Sequence, residues 1–254
     1  VPLTHRNILA NITQFSMVLN LGDEDAVLGC LPVFHSFGFT VTLWYPLIEG
    51  IRAVTYPTPA DTVKNAALIE RHGISLVVTT PSFLRGYYRR SRPEQFSRVK
   101  LLITGAEKLP ADRARAFEEK FGIPVYQGSG LTETSPVVSV NLPDPKRPSP
   151  NDSAQPASRL ESTGRMVPGL AARIRHPETD ELLPLHETGM LWLRGANIFT
   201  GYLEDPDRTA EVLEEGWFRT GDLGRFDEDG FLYIEGRLSR FSKVAGEMVP
   251  HDTV

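Results

Sequence analysis

The run Leu76-Val77-Val78-Thr79-Thr80, followed at once by Pro81-Ser82-Phe83-Leu84-Arg85-Gly86-Tyr87-Tyr88-Arg89, decides how this chain is read. A short uncharged apolar run reads as a strand buried on both faces, and 81–89 reads as a helix. The alternation continues outward in both directions. Strand-like runs lie at 26–31, 51–56, 101–104 and 124–127, and helical stretches at 37–47, 61–71 and 111–121. At the amino end Thr4 is placed to cap a helix whose apolar stripe is Ile8, Ile12, Phe15 and Leu19. Strands separated by helices imply βαβ units, hence an α/β fold with a mostly parallel sheet and helices on both faces. Ligands of such sheets sit beyond the carboxyl ends of the strands.

The rhythm changes after residue 140. Residues 141–160 hold Pro143, Pro145, Pro148, Pro150 and Pro156 among Ser, Asn and Asp, which reads as a mobile loop or linker. Runs at 170–175, 190–194, 224–227 and 231–235 then read as strands, and Asp227-Glu228-Asp229-Gly230 is a hairpin signal. The expected organisation is an α/β part over 1–140, a Pro-rich loop or linker over 141–161, a smaller antiparallel β-rich part over 162–236, and a hinge opening a further domain over 237–254. No internal repeat is evident.

Composition narrows the function classes. Among 254 residues, 27 Lys+Arg face 32 Asp+Glu, a formal net charge of −5 that argues against a nucleic-acid partner. The apolar fraction of 41% and charged fraction of 23% are those of an ordinary globular protein. Cys30 is the sole cysteine, so no intramolecular disulfide can form, and a reducing, cytoplasmic setting is expected. The most apolar stretch, 37–48, is too short for a transmembrane segment, and no basic-then-apolar leader is present. The sequence opens on Val1 inside a segment that reads as structured, so an internal piece of a longer protein is expected.

Five local patterns carry chemistry. Gln127-Gly128-Ser129-Gly130-Leu131-Thr132-Glu133-Thr134-Ser135-Pro136 directly follows a strand. Glycine lets backbone approach a ligand, a Thr hydroxyl bonds an anionic oxygen, and a carboxylate can hold Mg²⁺ beside phosphates. Taken alone, such a run is more often just a turn. Thr104-Gly105-Ala106-Glu107-Lys108-Leu109-Pro110 joins a strand to a helix and suits a flat base or a phosphate, or is simply a tight turn. Trp217-Phe218-Arg219-Thr220-Gly221-Asp222-Leu223 puts one carboxylate in a small-residue turn, fit for ribose hydroxyls or for an Asx turn. Leu31-Pro32-Val33-Phe34-His35-Ser36-Phe37-Gly38 holds one His among aromatics, a setting more often packed than catalytic. The stretch 236–247 mixes charges with two glycines and reads by itself as a solvated strand. Zinc ligand clusters, a G-x-S-x-G elbow and a P-loop are all missing from the sequence.

In this order the patterns resemble the adenylate-forming superfamily of acyl-CoA synthetases, luciferases and peptide-synthetase adenylation domains. Val1-Pro2-Leu3-Thr4-His5-Arg6-Asn7 is similar to the segment after that family's phosphate loop. Residues 31–38 resemble its aromatic-His motif, and 127–133 its aromatic-Gly-x-Thr-Glu motif. Residues 189–195 with Gly201-Tyr202, then 218–223, then 236–246 resemble three more. The wording at 105–110 and 243–249 looks most like one branch, the acyl-acyl-carrier-protein synthetase domain of bacterial 2-acylglycerophosphoethanolamine acyltransferases.

The resemblance implies part of the large N-terminal domain of a two-step ligase. ATP and Mg²⁺ would activate a fatty acid as acyl-adenylate, and a phosphopantetheine thiol of CoA or acyl carrier protein would take the acyl group. It implies Thr132 on the α-phosphate, Glu133 on Mg²⁺, and Asp222 with Arg237 on the ribose. Gly105, Ala106, Glu107, Gln127 and Gly128 would line adenine, and His35 would stand at the carboxylate end of an acyl pocket walled by Phe34, Phe37 and Trp44. Ser239 occupies the hinge position, where the family commonly has Asp or Lys. Ser129 stands where the family has an aromatic that stacks on adenine. That departure supports an alternative, a degenerate non-catalytic module in a larger membrane-linked lipid enzyme. The family's phosphate loop and lysine-bearing C-terminal domain lie outside these residues, so little activity is expected of 1–254 alone.

Overall fold

The computed structural model describes residues 1–145, 155–244 and 247–250, with side chains through residue 239. Residues 146–154 of the Pro-rich stretch, Ala245-Gly246 of the closing segment and 251–254 lie outside the described residues.

The chain begins with α1 (His5–Leu19), capped by Thr4, whose hydroxyl accepts from the Asn7 amide. Then come β1 (Ala26–Gly29), a π-helical segment Gly38–Trp44 running into α2 (Tyr45–Glu49), β2 (Arg52–Thr55), α3 (Thr62–His72), β3 (Leu76–Thr79) and α4 (Pro81–Arg90). β4 (Leu101–Thr104), α5 (Ala111–Phe121), β5 (Tyr126–Gly130), β6 (Val137–Val140) and β7 (Arg165–Met166) complete a seven-stranded sheet in the order β2-β1-β3-β4-β5-β6-β7. β1 to β5 pair in parallel, and β6 and β7 add antiparallel.

Period-two alternation explains why helices cover both faces. Leu76, Val78, Leu101 and Ile103 join the core formed with Ile12, Phe15 and Leu19 of α1. Their neighbours Val77 and Leu102 join the core formed with Ile69, Leu84 and Phe117 of α3, α4 and α5. The central runs Leu76–Val78 and Leu101–Ile103 are therefore apolar throughout, which is what a two-sided burial requires.

The second sheet holds β8 (Leu170–Arg175), β9 (Gly189–Gly195), β10 (Leu213–Glu214), β11 (Trp217–Phe226) and β12 (Leu232–Arg237), all antiparallel. The helix α6 (Pro206–Val212) precedes β10, and β13 (Phe241–Val244) pairs with β14 (Glu247–Pro250). The expected hairpin forms at 227–230, where Gly230 has φ +78° and donates to the Asp227 carbonyl. One apolar core continues from α1 into the second sheet through Ile174, Leu193, Phe199 and Phe218. β7 belongs to the first sheet although it follows the Pro-rich stretch. The described ends of that stretch are tied to the fold. Asn141 takes the Arg159 amide and donates to the Ser162 carbonyl, while Arg159 pairs with Asp227 and Asp229.

Two expected turns are strands. β5 runs on through Gly128, Ser129 and Gly130, because their backbone ladders with β6 need no side chain. The 217–223 motif lies inside the ten-residue β11, where an irregular register between Arg219 and Leu223 and Gly221 at φ +80° make a bulge. Among the described residues no helix is long and apolar enough to cross a membrane.

Candidate functional site

A cavity of about 420 Å³ opens between α1, the carboxyl ends of β3 and β4, and the β5–β6 hairpin. Its interior is apolar, formed by Phe15, Leu19, Val41, Leu76, Val78 and Ile103, all buried. Its rim is polar, formed by His35, Ser36, Thr132, Glu133 and Arg237. A parallel sheet puts a ligand site at the carboxyl edge of its strands because the connecting loops there are free to diverge.

The Thr132–Glu133 turn is built by short-range bonds. Residues Thr132–Thr134 form one 3-10 turn, and the Thr134 hydroxyl accepts from the Leu131 amide at 3.1 Å. Ser135 is left-handed at φ +71°, and Gly130 is obligatory because a Cβ there would lie 2.4 Å from the Pro136 carbonyl oxygen. The Ser36 and Thr132 hydroxyls lie 3.2 Å apart, joining the β1 loop to the turn. Glu133 Oε1 accepts from the Tyr202 hydroxyl at 3.0 Å, and the Glu133 carbonyl accepts from the Phe199 amide. Burial, then the neighbouring Glu133 carboxylate, push the Tyr202 phenol pKa upward. The Arg208 guanidinium covers the Tyr202 ring at 4.4 Å.

A second layer fixes the turn from behind. Asn11 donates to the Val137 carbonyl at 2.8 Å and accepts from its amide at 2.9 Å. Asn7 donates to the carbonyls of Ala196 and Ile198. Asn197 in turn donates to the Thr134 carbonyl and takes a bond from Gln14, and Ser135 Oγ donates to the Asn197 carbonyl. Asn7, Asn11 and Gln14 are four and three residues apart, one face of α1. That spacing was the available signal, and the sequence reading passed over it because it followed the apolar stripe of the same helix.

The structure brings together His35, Phe37, Gly105, Ala106, Gly128, Ser129, Thr132, Glu133 and Arg237 on the cavity wall. Phe37 packs so closely on Gly105 that a Cβ there would meet its ring at 3.1 Å. The exposed His35 imidazole accepts from the Phe37 amide through Nδ1. Asp222 is buried and stands opposite Arg237 across β11 and β12, where Arg237 Nε donates to it at 3.0 Å. Arg237 thus links Asp222 to the rim. Other expected residues fall elsewhere. Phe34 is 92% exposed and Trp44 40% exposed, and neither lines the cavity. Trp44 ends the π-helical segment and packs edge-on against Phe39, so helical phase turns it away. Glu107 accepts from the exposed Ser82 hydroxyl instead of facing the cavity. Gln127 offers its carbonyl to the Asn141 amide and is not on the wall. Ser239 is exposed in the turn Leu238–Arg240.

Among the described residues no three His, Cys, Asp or Glu side chains cluster as metal ligands. Glu133 is the one carboxylate among the described residues of the cavity wall. A single carboxylate fits Mg²⁺ that arrives with a polyphosphate, because phosphate oxygens and water fill its remaining positions.

The AMP-binding enzyme family matches residues 1–203. The chain is 32% identical over 243 residues to the long-chain-fatty-acid–CoA ligase of Bacillus subtilis (strain 168), covering 93% of this chain and 41% of that protein. It is 33% identical over 250 residues to the sulfoacetate–CoA ligase of Cupriavidus necator, covering 98% and 47%. The structure of O-succinylbenzoate coenzyme A synthetase from Bacillus subtilis in complex with ATP and magnesium ion matches with a TM-score of 0.84 at 25% identity, over 98% of this chain and 49% of that one. The chain spans less than half the length of these relatives. With a family match that runs over the same sheet and the same Thr132–Glu133 turn that build the cavity, the chain belongs to the AMP-binding, adenylate-forming enzyme family.

Proposed function

We propose that the chain is the nucleotide- and acyl-binding part of an acid–thiol ligase acting on fatty carboxylates. In the first step a carboxylate oxygen attacks the α-phosphorus of ATP, the bond to the β-phosphate oxygen breaks, and pyrophosphate leaves. In the second a phosphopantetheine thiol, of CoA or acyl carrier protein, takes the acyl carbon and AMP leaves. The supporting observation is the division of one cavity into a buried apolar interior and a polar rim. That interior suits a hydrocarbon chain, and no charged side chain stands among its six buried residues. The relatives act on carboxylates as different as long-chain fatty acids and sulfoacetate by their names, so the interior carries the choice of substrate.

On this reading Thr132 donates to an α-phosphate oxygen, Gly105 and Ala106 border the adenine, and Asp222 with Arg237 takes the ribose hydroxyls. Glu133, held by Tyr202, would carry Mg²⁺, which supplies charge neutralisation of the polyphosphate. The protein's own task is positioning and charge stabilisation, because little covalent chemistry is asked of it. Ser129 on the cavity wall favours a second reading, a non-catalytic nucleotide-binding module, since it offers no ring to stack on adenine. The deciding experiment follows acyl-AMP formation by the full-length protein across a fatty-acid series, with Asp222→Ala as control. Chain-length-dependent turnover that Asp222→Ala lowers at least tenfold supports the ligase. Nucleotide binding without turnover supports the module, and full turnover by Asp222→Ala removes the ribose assignment.

A further inference from the structure

The loop after β1 and the Thr132–Glu133 turn meet through a single pair of hydroxyls. Ser36 Oγ lies 3.2 Å from Thr132 Oγ1, and both side chains are half-buried on the rim of the cavity. The loop is held on either side of Ser36. The His35 amide donates to the Pro32 carbonyl at 3.1 Å, and a Cβ on Gly38 would come within 2.3 Å of that carbonyl oxygen, so only glycine closes the loop this tightly. Phe37 packs its ring on Gly105. Among the described residues the Ser36 and Thr132 hydroxyls have no hydrogen-bond partner besides each other.

We propose that Ser36 is a positioning residue for adenylation, donating to Thr132 Oγ1 so that the Thr132 proton points at the α-phosphate. This rests on the ligase reading and on the place that reading gives Thr132. A hydroxyl has one proton and two acceptor sites. Only one of the two protons can lie on the line between Ser36 and Thr132, and the other is free for a ligand. If Thr132 donates to Ser36, its proton is spent on a neutral neighbour; if Ser36 donates, Thr132 keeps its proton to give. An ionised phosphate oxygen accepts more strongly than a neutral hydroxyl, so a bound nucleotide selects the second arrangement. Two such bonds in series polarise one another. As the carboxylate oxygen bonds to the α-phosphorus and the bond to pyrophosphate breaks, charge shifts among the phosphate oxygens. A donor aimed in advance counts most at that point. Neither hydroxyl gives up its proton, so the step needs no further base.

The test follows single-turnover acyl-AMP formation by the full-length protein, with ATP and with each diastereomer of its α-thio analogue, in which sulfur replaces one non-bridging α-oxygen. Ser36→Ala should lower the rate about tenfold, the worth of one hydrogen bond, with the ATP concentration for half-maximal rate nearly unchanged. Ser36→Thr, which keeps a hydroxyl, should recover most of the loss. Wild type should prefer the isomer that keeps oxygen opposite Thr132, because sulfur is the weaker acceptor, and Ser36→Ala should narrow that preference at least about threefold. In a Thr132→Val background Ser36→Ala should cost nothing further. The isomer ratio does not depend on how much enzyme is folded, so it decides the matter even for an unstable variant. A wild-type rate in Ser36→Ala, an isomer ratio unmoved by it, no recovery in Ser36→Thr, or additive losses with Thr132→Val overturns the proposal while the ligase reading stands. No acyl-AMP from wild type removes the ligase reading and this inference with it.

Discussion

Replacing Asn11 by Leu probes the link between the fold and the Thr132–Glu133 turn. Asn11 is fully buried, at 0% exposure, and its amide exchanges two bonds with the backbone of Val137, the first residue of β6. Leucine fills a similar volume and cannot bond. The Val137 N–H and C=O, half-buried at the cavity wall, then lose partners, at about 1–3 kcal/mol for each unsatisfied group. The β5–β6 ladder cannot replace them easily, because its register already shifts between Ser129 and Gly130. Extra apolar burial by leucine offsets part of this, so a net loss of about 2–4 kcal/mol is expected. The turn at Thr132–Thr134 is joined to Val137 by only Ser135 and Pro136, and displacing it by about 1 Å would slow adenylation roughly a hundredfold. Urea unfolding followed by tryptophan fluorescence gives the first quantity, and ATP–pyrophosphate exchange gives the second. Gln14→Leu is the internal comparison, since its bonds to Asn11 and Asn197 are longer, at 3.3 Å, and it should lose less than about 1 kcal/mol. If Asn11→Leu unfolds within about 0.5 kcal/mol of wild type and keeps full exchange, the clamp has no role in either stability or site geometry.

Three other perturbations separate the parts of the site. Tyr202→Phe removes the hydroxyl that holds Glu133, so the Mg²⁺ concentration for half-maximal exchange should rise about tenfold with little change in KM for ATP at saturating Mg²⁺. An unchanged Mg²⁺ dependence would dismiss that role. Ser129→Tyr supplies a ring on the cavity wall and should tighten ATP binding by about 1 kcal/mol, or fivefold, in titration calorimetry; no gain means that adenine does not lie over this position. Acid should destabilise the β-rich part through Asp227. Burial raises its pKa, but bonds from the Phe231 amide, Arg159 and Tyr233 outweigh that and hold it below the ordinary value. Its stabilising contribution is therefore present above about pH 4 and lost as pH falls through the lower folded value. Melting temperatures taken from neutral pH downward should drop less steeply in Asp227→Asn, and parallel curves would contradict this assignment.

The parallel sheet was legible because two-sided burial makes its strands uniformly apolar, as in Leu76-Val77-Val78. The same uniformity hid which of those residues face the cavity, so Leu76 and Val78 were missed as its lining while Val77 faces the other core. Phe34 and Trp44 were chosen for their chemistry, yet exposure depends on the phase of the π-helical segment between β1 and α2, which no short pattern announces. Gly128 to Gly130 and Gly221 were read as turns because glycine frees the backbone. In β5 the glycines instead permit close approach, with a Cβ at Gly128 only 3.0 Å from the Ser139 carbonyl oxygen, and in β11 Gly221 supplies a bulge. The pairing of Asp222 with Arg237 is set by cross-strand register over fifteen residues, and it was reached from motif order. Thr132 and Glu133 were recoverable because they sit side by side in one turn. Their supports, Asn11 and Tyr202, were not, because they come from other elements distant in sequence.

The clamp on that turn also sets when the site can come into being. Asn11 reaches across 126 positions to Val137, and Asn7 across 191 positions to Ile198. Closing loops of that size costs chain entropy that neighbouring contacts cannot recover early. During synthesis α1 emerges before β6 and the Ala196–Ile198 segment, so it has no partner for its amides until the strand and turn it holds have left the ribosome. On the proposed function, nucleotide binding would thus mature late, and a nascent polypeptide stalled before Ile198 should hold a helix and several strands yet be blind to ATP.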